Sequence, residues 1–391
     1  MNILMVHPHD LYSSLEPWTV RVKKLAVEFA NRGHLVKLAY FPLDPKEANR
    51  EFPDNGIQVI ALDRRLGLVR MIRNILRMNT AAGWADIIHF QKCYYYAALP
   101  AMIASLLKNK PVHYDWDDWE TEIFYYSNPK ERIVGEFLNI YEKLIPRVVD
   151  TVSVSSDHLR RLALSLGVSR ERIVPAPVGA DLERFNPQVI EEHKGKIKKK
   201  YGINSYLVLY LGQLHGAQYA EIFVHTANLI LRSRKDVTFM VIGEGYRLGE
   251  LRELTRALGI AEHFIFTGHV SHNEIPRYLA DADVCVACFE ENDITKCKSP
   301  LKIVEYLACG KAIVASNVGE VRNMVGGVGV LARPGDTGSL AEGIMVLLGD
   351  AKLRESLGKA AAVRSQKKYR WAVTAENILN AYNIALNSKT N

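Results

Sequence analysis

Short runs rich in apolar residues recur along this chain, each separated from the next by a stretch whose apolar positions repeat every three or four residues. In the first half the runs are Asn2–Val6, His34–Tyr40, Asp86–Phe90, Val112–Trp116 and Val148–Val154. In the second they are Leu207–Leu211, Thr238–Ile242, Phe264–Phe266, Val284–Ala287, Ala312–Ala315 and Gly329–Leu331. Strands that are apolar throughout, not alternating, are buried on both faces, the condition of a parallel sheet covered by crossover helices. The two series meet at a Pro- and Gly-rich crossover, Val174–Asp181. Together they predict an α/β protein of two doubly wound parallel-sheet domains facing each other across a cleft, residues 1–175 and 176–370.

Several function classes fall away on composition. A net charge of +7 on 391 residues suits anionic small molecules or an anionic membrane surface. It is too diffuse for nucleic acid, and no helix-turn-helix, zinc-finger or RNA-binding signature accompanies it. No apolar stretch approaches the ~20 residues of a spanning helix. Ile3–Val6 is too short for a signal-peptide core and runs straight into His7, Pro8, His9 and Asp10, so the expected location is cytoplasmic. The five scattered cysteines then read as free thiols. Cys285 and Cys288 form a C-x-x-C, but within a strand residues three apart point to opposite faces, which argues against a metal or redox pair.

Residues 295–316 carry the densest chemistry. Ser299 and Pro300 suit a helix cap and first helical position. Leu301, Val304, Leu307 and Ala308 make one apolar face, Gly310 ends the helix and Ala312–Ala315 follows as a strand. Helix starts attract anions, and Lys296, Lys298 and Lys302 stand nearby, making a candidate phosphate seat. Glu305, one turn in, is placed to reach a ribose diol beyond the phosphates. The same residues equally suit a surface helix with solvated lysines.

In the first half no G-x-G-x-x-G follows the first strand; Ser13, Ser14, Glu16 and Trp18 occupy the loop before the helix Thr19–Asn31. Residues 64–78 form a basic amphipathic helix, with Leu68, Met71, Ile72, Ile75 and Met78 on one side and Arg70, Arg73 and Arg77 on the other. That pattern fits a helix packed on the sheet or one lying on a membrane surface. Past Trp116 come Asp117, Asp118, Trp119, Glu120 and Glu122, then Phe124, Tyr125 and Tyr126. Acidic and aromatic residues at the carboxyl end of a parallel strand sit where such sheets bind ligands, and they suit sugar hydroxyls and ring faces; a divalent metal is the lesser possibility.

Across nearly the whole chain the motifs resemble the retaining glycosyltransferases of family 4, which have the GT-B architecture of two Rossmann-like domains. YLGQL at 210–214, VIGEG at 241–245, FTGHV at 266–270 with its following EIPRYLADADV, SPLKIVEYLACGKAIVAS at 299–316 and NVGEV at 317–321 fall in family order. So do RGHLVKL, ADIIHF, SVSS and VGADLERFNP in the first half. The resemblance implies sugar transfer with retention from a nucleotide-diphosphate sugar to a glycan, lipid-linked or small-molecule acceptor in polysaccharide or glycoconjugate synthesis. It implies no cofactor and no essential metal.

By the same resemblance Glu305 holds the ribose, Ser299, Pro300, Leu301 and Lys302 meet the diphosphate and sugar, and His269 and Val270 contact the base. Gly243 and Gln213 lie in the donor-side loops, and Lys298 and Lys302 serve the leaving diphosphate. Asp117 falls where many members carry a histidine beside the donor sugar, which puts Asp117, Lys302 and Glu305 at the chemistry. A final helix, 371–391, is expected to pack back on the first domain. Departures from the pattern are Cys297 in place of a second glutamate, Gln213 and Gln218 in place of diphosphate-binding cations, and SSLEPW in place of a glycine-rich loop. Those losses leave open a non-catalytic GT-B protein binding a nucleotide or glycan; a nucleotide-sugar epimerase shares the fold.

Overall fold

The computed structural model describes residues 1–13, 16–215 and 219–390. The chain divides into two compact units, Met1–Val178 with the segment from Trp371, and Gly179–Arg370.

The first unit runs β1 (Asn2–Val6), α1 (Val20–Asn31), β2 (Leu35–Tyr40), β3 (Glu51–Asp54), β4 (Ile57–Ala61), α2 (Leu68–Trp84), β5 (Ile87–Gln91), α3 (Tyr95–Lys108), β6 (Val112–Trp116), α4 (Glu120–Ser127), α5 (Arg132–Val148), β7 (Thr151–Val154), α6 (Asp157–Ser165) and β8 (Ile173–Pro175). Its sheet has the order β3-β4-β2-β1-β5-β6-β7-β8, parallel except for the β3–β4 pair. In the second unit α7 (Pro187–Glu191) and α8 (Lys196–Tyr201) precede β9 (Tyr206–Leu211), α9 (Ala220–Ile230), β10 (Val237–Ile242), α10 (Leu248–Ala257), β11 (Phe264–Gly268), α11 (Ile275–Asp281) and β12 (Val284–Ala287). There follow α12 (Asp293–Cys297), α13 (Leu301–Ala308), β13 (Ile313–Ser316), α14 (Gly319–Val325), β14 (Val330–Ala332), α15 (Thr337–Gly349) and α16 (Ala351–Lys368). Its parallel sheet has the order β11-β10-β9-β12-β13-β14. Helix α17 (Trp371–Thr390) belongs to the first unit, where Tyr382 donates its hydroxyl proton to His89 Nδ1 at 2.7 Å.

The central strands β1, β5, β9 and β12 are buried almost throughout, as the apolar runs of β1, β9 and β12 require; β5 also buries His89 and Gln91. Aspartates fix where strands begin. Asp86, Asp150 and Asp283 accept the backbone N–H of Asn2, Val112 and Leu207 at 2.7–2.8 Å. The opposite, carboxyl ends are left for loops. Within the first core Arg21 grips Asp115 with two bonds of 2.7 Å, and Ser153 donates to the same carboxylate at 2.5 Å. Burial works against that carboxylate's charge, and the Arg21 guanidinium outweighs it, holding Asp115 well below the usual range.

Three sequence expectations need correction. The hairpin β3–β4 was not expected, although Asn55 and Gly56, both at positive φ, make its two-residue turn. The acidic and aromatic stretch after Trp116 is not loop throughout: α4 starts at Glu120, because the buried Glu142 carboxylate of α5 accepts the N–H groups of Glu120 and Thr121. The basic helix expected at 64–78 is α2, displaced to Leu68–Trp84. Its buried side is Asn74, Met78, Ala81 and Ala82, while Leu68, Val69, Ile72 and Leu76 face solvent.

Candidate functional site: a buried lysine at a helix start

At the carboxyl end of the second sheet the loops after β9 and β10 press together. Gly243 sits at φ 148°, and a Cβ there would lie 1.8 Å from the Gly212 carbonyl oxygen, so only glycine fits. A Cβ on Gly212 would in turn lie 2.5 Å from Lys302 Nζ. The lysine projects from the first turn of α13 into this space. Its ammonium is fully buried, has no hydrogen-bond partner among the described residues, and stands 4.4 Å from the Tyr210 ring centroid. Burial pulls its pKa down to about 8; Cys288 opposes that and the charge of Lys298 adds to it. An ammonium in such a place is costly until an anion arrives.

The start of α13 differs from the sequence expectation. The helix begins at Leu301 with Pro300 in the cap position, and Pro300 makes no side-chain cap. Ser299 is therefore not the cap. Lys296 turns to Glu291 and Asp293, at 3.7 and 3.6 Å, rather than to the helix start. Lys298 ends α12 in extended backbone. Gln213 Oε1 accepts from His215 Nε2 at 3.0 Å. His269 is exposed and Val270 half-buried, just past β11. Gln218 and Ser14 lie outside the described residues.

Glu305, one turn into α13, is 3 % exposed and has a partner that sequence reasoning missed. His272 Nε2 stands 2.5 Å from Glu305 Oε1, and Arg184 Nη1 stands 3.2 Å from His272 Nδ1. Arginine only donates, so Nδ1 is the acceptor and Nε2 carries the proton given to Glu305. The chain Arg184–His272–Glu305 thus orients one carboxylate oxygen and leaves the other for a ligand. The missed signal is an H-N-E just after the β11 motif, in a segment scanned for base contacts only.

The first unit gathers a second polar group at the carboxyl ends of β5 and β6. Lys92 lies 3.4 Å from Asp117, 3.6 Å from Asp118, and pairs closely with Glu120. Gln91 Nε2 donates to Asp117 Oδ2 at 2.6 Å. Burial raises the Asp117 and Glu120 pKa values, and the Lys92 ammonium works against that rise. Asp117, Asp118 and Glu120 have the spacing of a metal-ligand set, and the single Lys92 ammonium among them offsets one of the three carboxylate charges. Nearby, Glu16 bridges His9 at 3.0 Å and Arg64 at 2.9 Å.

Two parallel-sheet α/β domains of this kind define the GT-B class. Solved structures agree: Anabaena HepE in complex with UDP and glucose matches with a TM-score of 0.72 at 19 % identity, covering 97 % of this chain and 98 % of that one. Sucrose-phosphate synthase from Thermosynechococcus elongatus matches with a TM-score of 0.73 at 19 % identity, covering 98 % of each. Residues 205–350 match the glycosyl transferases group 1 family and residues 19–179 the glycosyl transferase 4-like domain. The chain belongs to this family of glycosyltransferases, which move a sugar from a nucleotide-sugar donor. Among curated relatives, the D-inositol 3-phosphate glycosyltransferase of Pseudarthrobacter chlorophenolicus is 24 % identical over 94 % of this chain and 90 % of its own length. The alpha-D-kanosaminyltransferase of Streptomyces kanamyceticus is 25 % identical over about half of each chain (51 %). Among the described residues no helix is long and apolar enough to cross a membrane.

Proposed function

We propose that this chain transfers a hexosyl group, with retention at the anomeric carbon, from a uridine diphosphate sugar to a glycan, lipid-linked or small-molecule acceptor in glycoconjugate assembly. The observation that carries this is the buried Lys302 ammonium, without a hydrogen-bond partner among the described residues, in the first turn of α13. In retaining transfer negative charge grows on the leaving diphosphate, and a preorganised cation in a dry site stabilises it. Lys302, with Lys298, the N–H groups of Ser299 and Leu301 on either side of Pro300, and the backbone at Gly243, receives the diphosphate. Glu305, steadied by His272, takes the ribose diol, and His269 and Val270 flank the base. The uridine base is suggested by HepE, solved with UDP and with UDP-glucose.

Asp117 accepts a hydrogen bond from a sugar hydroxyl in this scheme. The scheme calls for no essential metal, because the Lys302 ammonium carries the counter-charge for the leaving diphosphate. The exposed Leu68, Val69 and Ile72 beside Arg73 support peripheral contact of α2 with the inner face of a membrane.

A panel of nucleoside diphosphates and their sugars, read by thermal shift and by diphosphate release, tests the donor assignment. Stabilisation by UDP and one UDP-sugar, with slow UDP release, is the expected result. Absence of a shift with every nucleotide would overturn it.

A further inference from the structure

Helix α5 is built with its polarity reversed. Its inward side carries Glu142, fully buried, whose carboxylate is bound by Trp116 Nε1, the N–H groups of Glu120 and Thr121, and the Thr121 hydroxyl. Its outward side carries Ile133, Phe137, Ile140, Leu144 and Val148, all exposed, Ile133 and Phe137 by 77 % and 72 %. These positions recur at four-, three-, four- and four-residue spacing, so they form one stripe. A water-facing stripe of that size, opposite a carboxylate held inside by four hydrogen bonds, is not a by-product of core packing.

The stripe is one part of a layer. The connections β4–α2–β5, β5–α3–β6 and β6–α5–β7 all step the same way across the sheet, so right-handed crossovers put α2, α3 and α5 on the same face. Contacts agree: α2 packs on α3, and Tyr141 of α5 reaches Met102 of α3 at 3.9 Å. The outer side of the layer therefore joins Leu68, Val69, Ile72 and Leu76 of α2 and Leu106 and Leu107 of α3 to the α5 stripe. Crossover helices run back along the strands, so Leu68, Val69, Ile133 and Phe137 lie at the end of the layer where Asp117 and Lys92 also sit.

We infer that this α2–α3–α5 layer is a docking face for an anionic lipid bilayer. Charge decides the occupant. Of the five arginines between 64 and 85, Arg64 pairs with Glu16, Arg65 and Arg70 with Asp63, and Arg77 with Glu51, so the charge that counts on this face begins with the exposed Arg73. Arg73, Lys108, Arg132, Lys143 and Arg147 edge the apolar surface, against Glu131 and Glu136, and Glu136 is hydrogen-bonded to Tyr125. A second copy of the chain, paired about a two-fold axis, sets each patch against itself and opposes these cations to one another. A bilayer instead takes the apolar tips into the acyl boundary while the arginines and lysines meet headgroup phosphates. The surface is built from the first unit alone and stands whether or not Lys302 binds a diphosphate.

The test is sedimentation of the full chain with vesicles of phosphatidylcholine alone or mixed with phosphatidylglycerol, for the wild type and for Phe137→Glu/Ile140→Glu. Both positions are exposed, so the variant keeps its melting temperature and its donor-induced thermal shift. The wild type is expected to bind anionic vesicles at least about tenfold better than neutral ones, and the variant to lose about tenfold or more. Failure of the wild type to bind either vesicle overturns the inference. So does a variant that binds as well as the wild type. A wild-type dimer in gel filtration that the variant abolishes, without vesicle binding by either protein, assigns the face to a second copy and also overturns it.

Discussion

Replacing Lys302 by Met separates what the site costs from what it does. Methionine fills the volume of the aliphatic stem but carries no charge. In the wild type the ammonium is held at about 8 against an ordinary 10.5, so keeping it charged inside the folded unit costs about 3 kcal/mol. The contact over the Tyr210 ring returns roughly 1 kcal/mol of that. Without ligand the variant is therefore more stable by about 2 kcal/mol at neutral pH, a rise in melting temperature of roughly 4–8 °C for a unit of this size. The sign against pH is fixed as well. A lysine whose folded pKa lies below its unfolded value costs most below the folded pKa. The wild type therefore gains stability relative to the variant as pH rises from about 8 to 10.5. The donor response moves the other way: loss of a charge-assisted contact to diphosphate weakens UDP by about 10–100-fold, so the UDP-induced thermal shift collapses. Differential scanning fluorimetry across pH, with and without UDP, reads both effects. A variant that melts lower than the wild type without ligand, or that keeps the full UDP shift, refutes the assignment of Lys302 as a cation stored for an anion.

Four further outcomes follow from the same geometry. His272→Ala frees Glu305 to rotate, so calorimetry should show weaker UDP binding and a smaller preference for UDP over its 2′-deoxy form; an unchanged preference removes His272 from ribose recognition. Arg21→Met strands the Asp115 carboxylate in the first core and should cost about 3–5 kcal/mol in urea unfolding, while a cost below 1 kcal/mol would show that Ser153 alone suffices. Gly243→Ala drives a Cβ into the Gly212 carbonyl, so the variant should lose UDP binding even where circular dichroism shows it folded; retained binding means that the two loops separate easily. Asp117→Asn keeps the shape but removes the charge that Lys92 balances, and turnover should fall at least about tenfold; full activity excludes any need for that charge.

What was legible in the sequence, and what was not, divides along the range of the interactions. The parallel strands were legible because burial on both faces demands apolar runs, and β1, β9 and β12 carry them almost unbroken. The edge hairpin β3–β4 carries none, and only Asn55–Gly56 marks it. Helix α4 was hidden because its cap is the Glu142 carboxylate, twenty-two residues from the N–H of Glu120 that it accepts. Lysines near the start of α13 were visible as a group, but their separation was not. Lys296 has carboxylates of its own within reach, whereas Lys302 points into the space kept open by Gly212, and no local pattern distinguishes a solvated lysine from a buried one. The partner of Glu305 is likewise thirty-three residues away. The same limit applied to α5. Its apolar positions repeat as in any amphipathic helix, but which side faces the sheet depends on Trp116 and Thr121, whose hydrogen bonds draw Glu142 inward and leave Phe137 and Ile140 outside. Apolar residues on a helix thus do not by themselves say where the core is. A buried carboxylate with every lone pair engaged does, and in this chain it assigns the apolar stripe to something other than the protein's own interior.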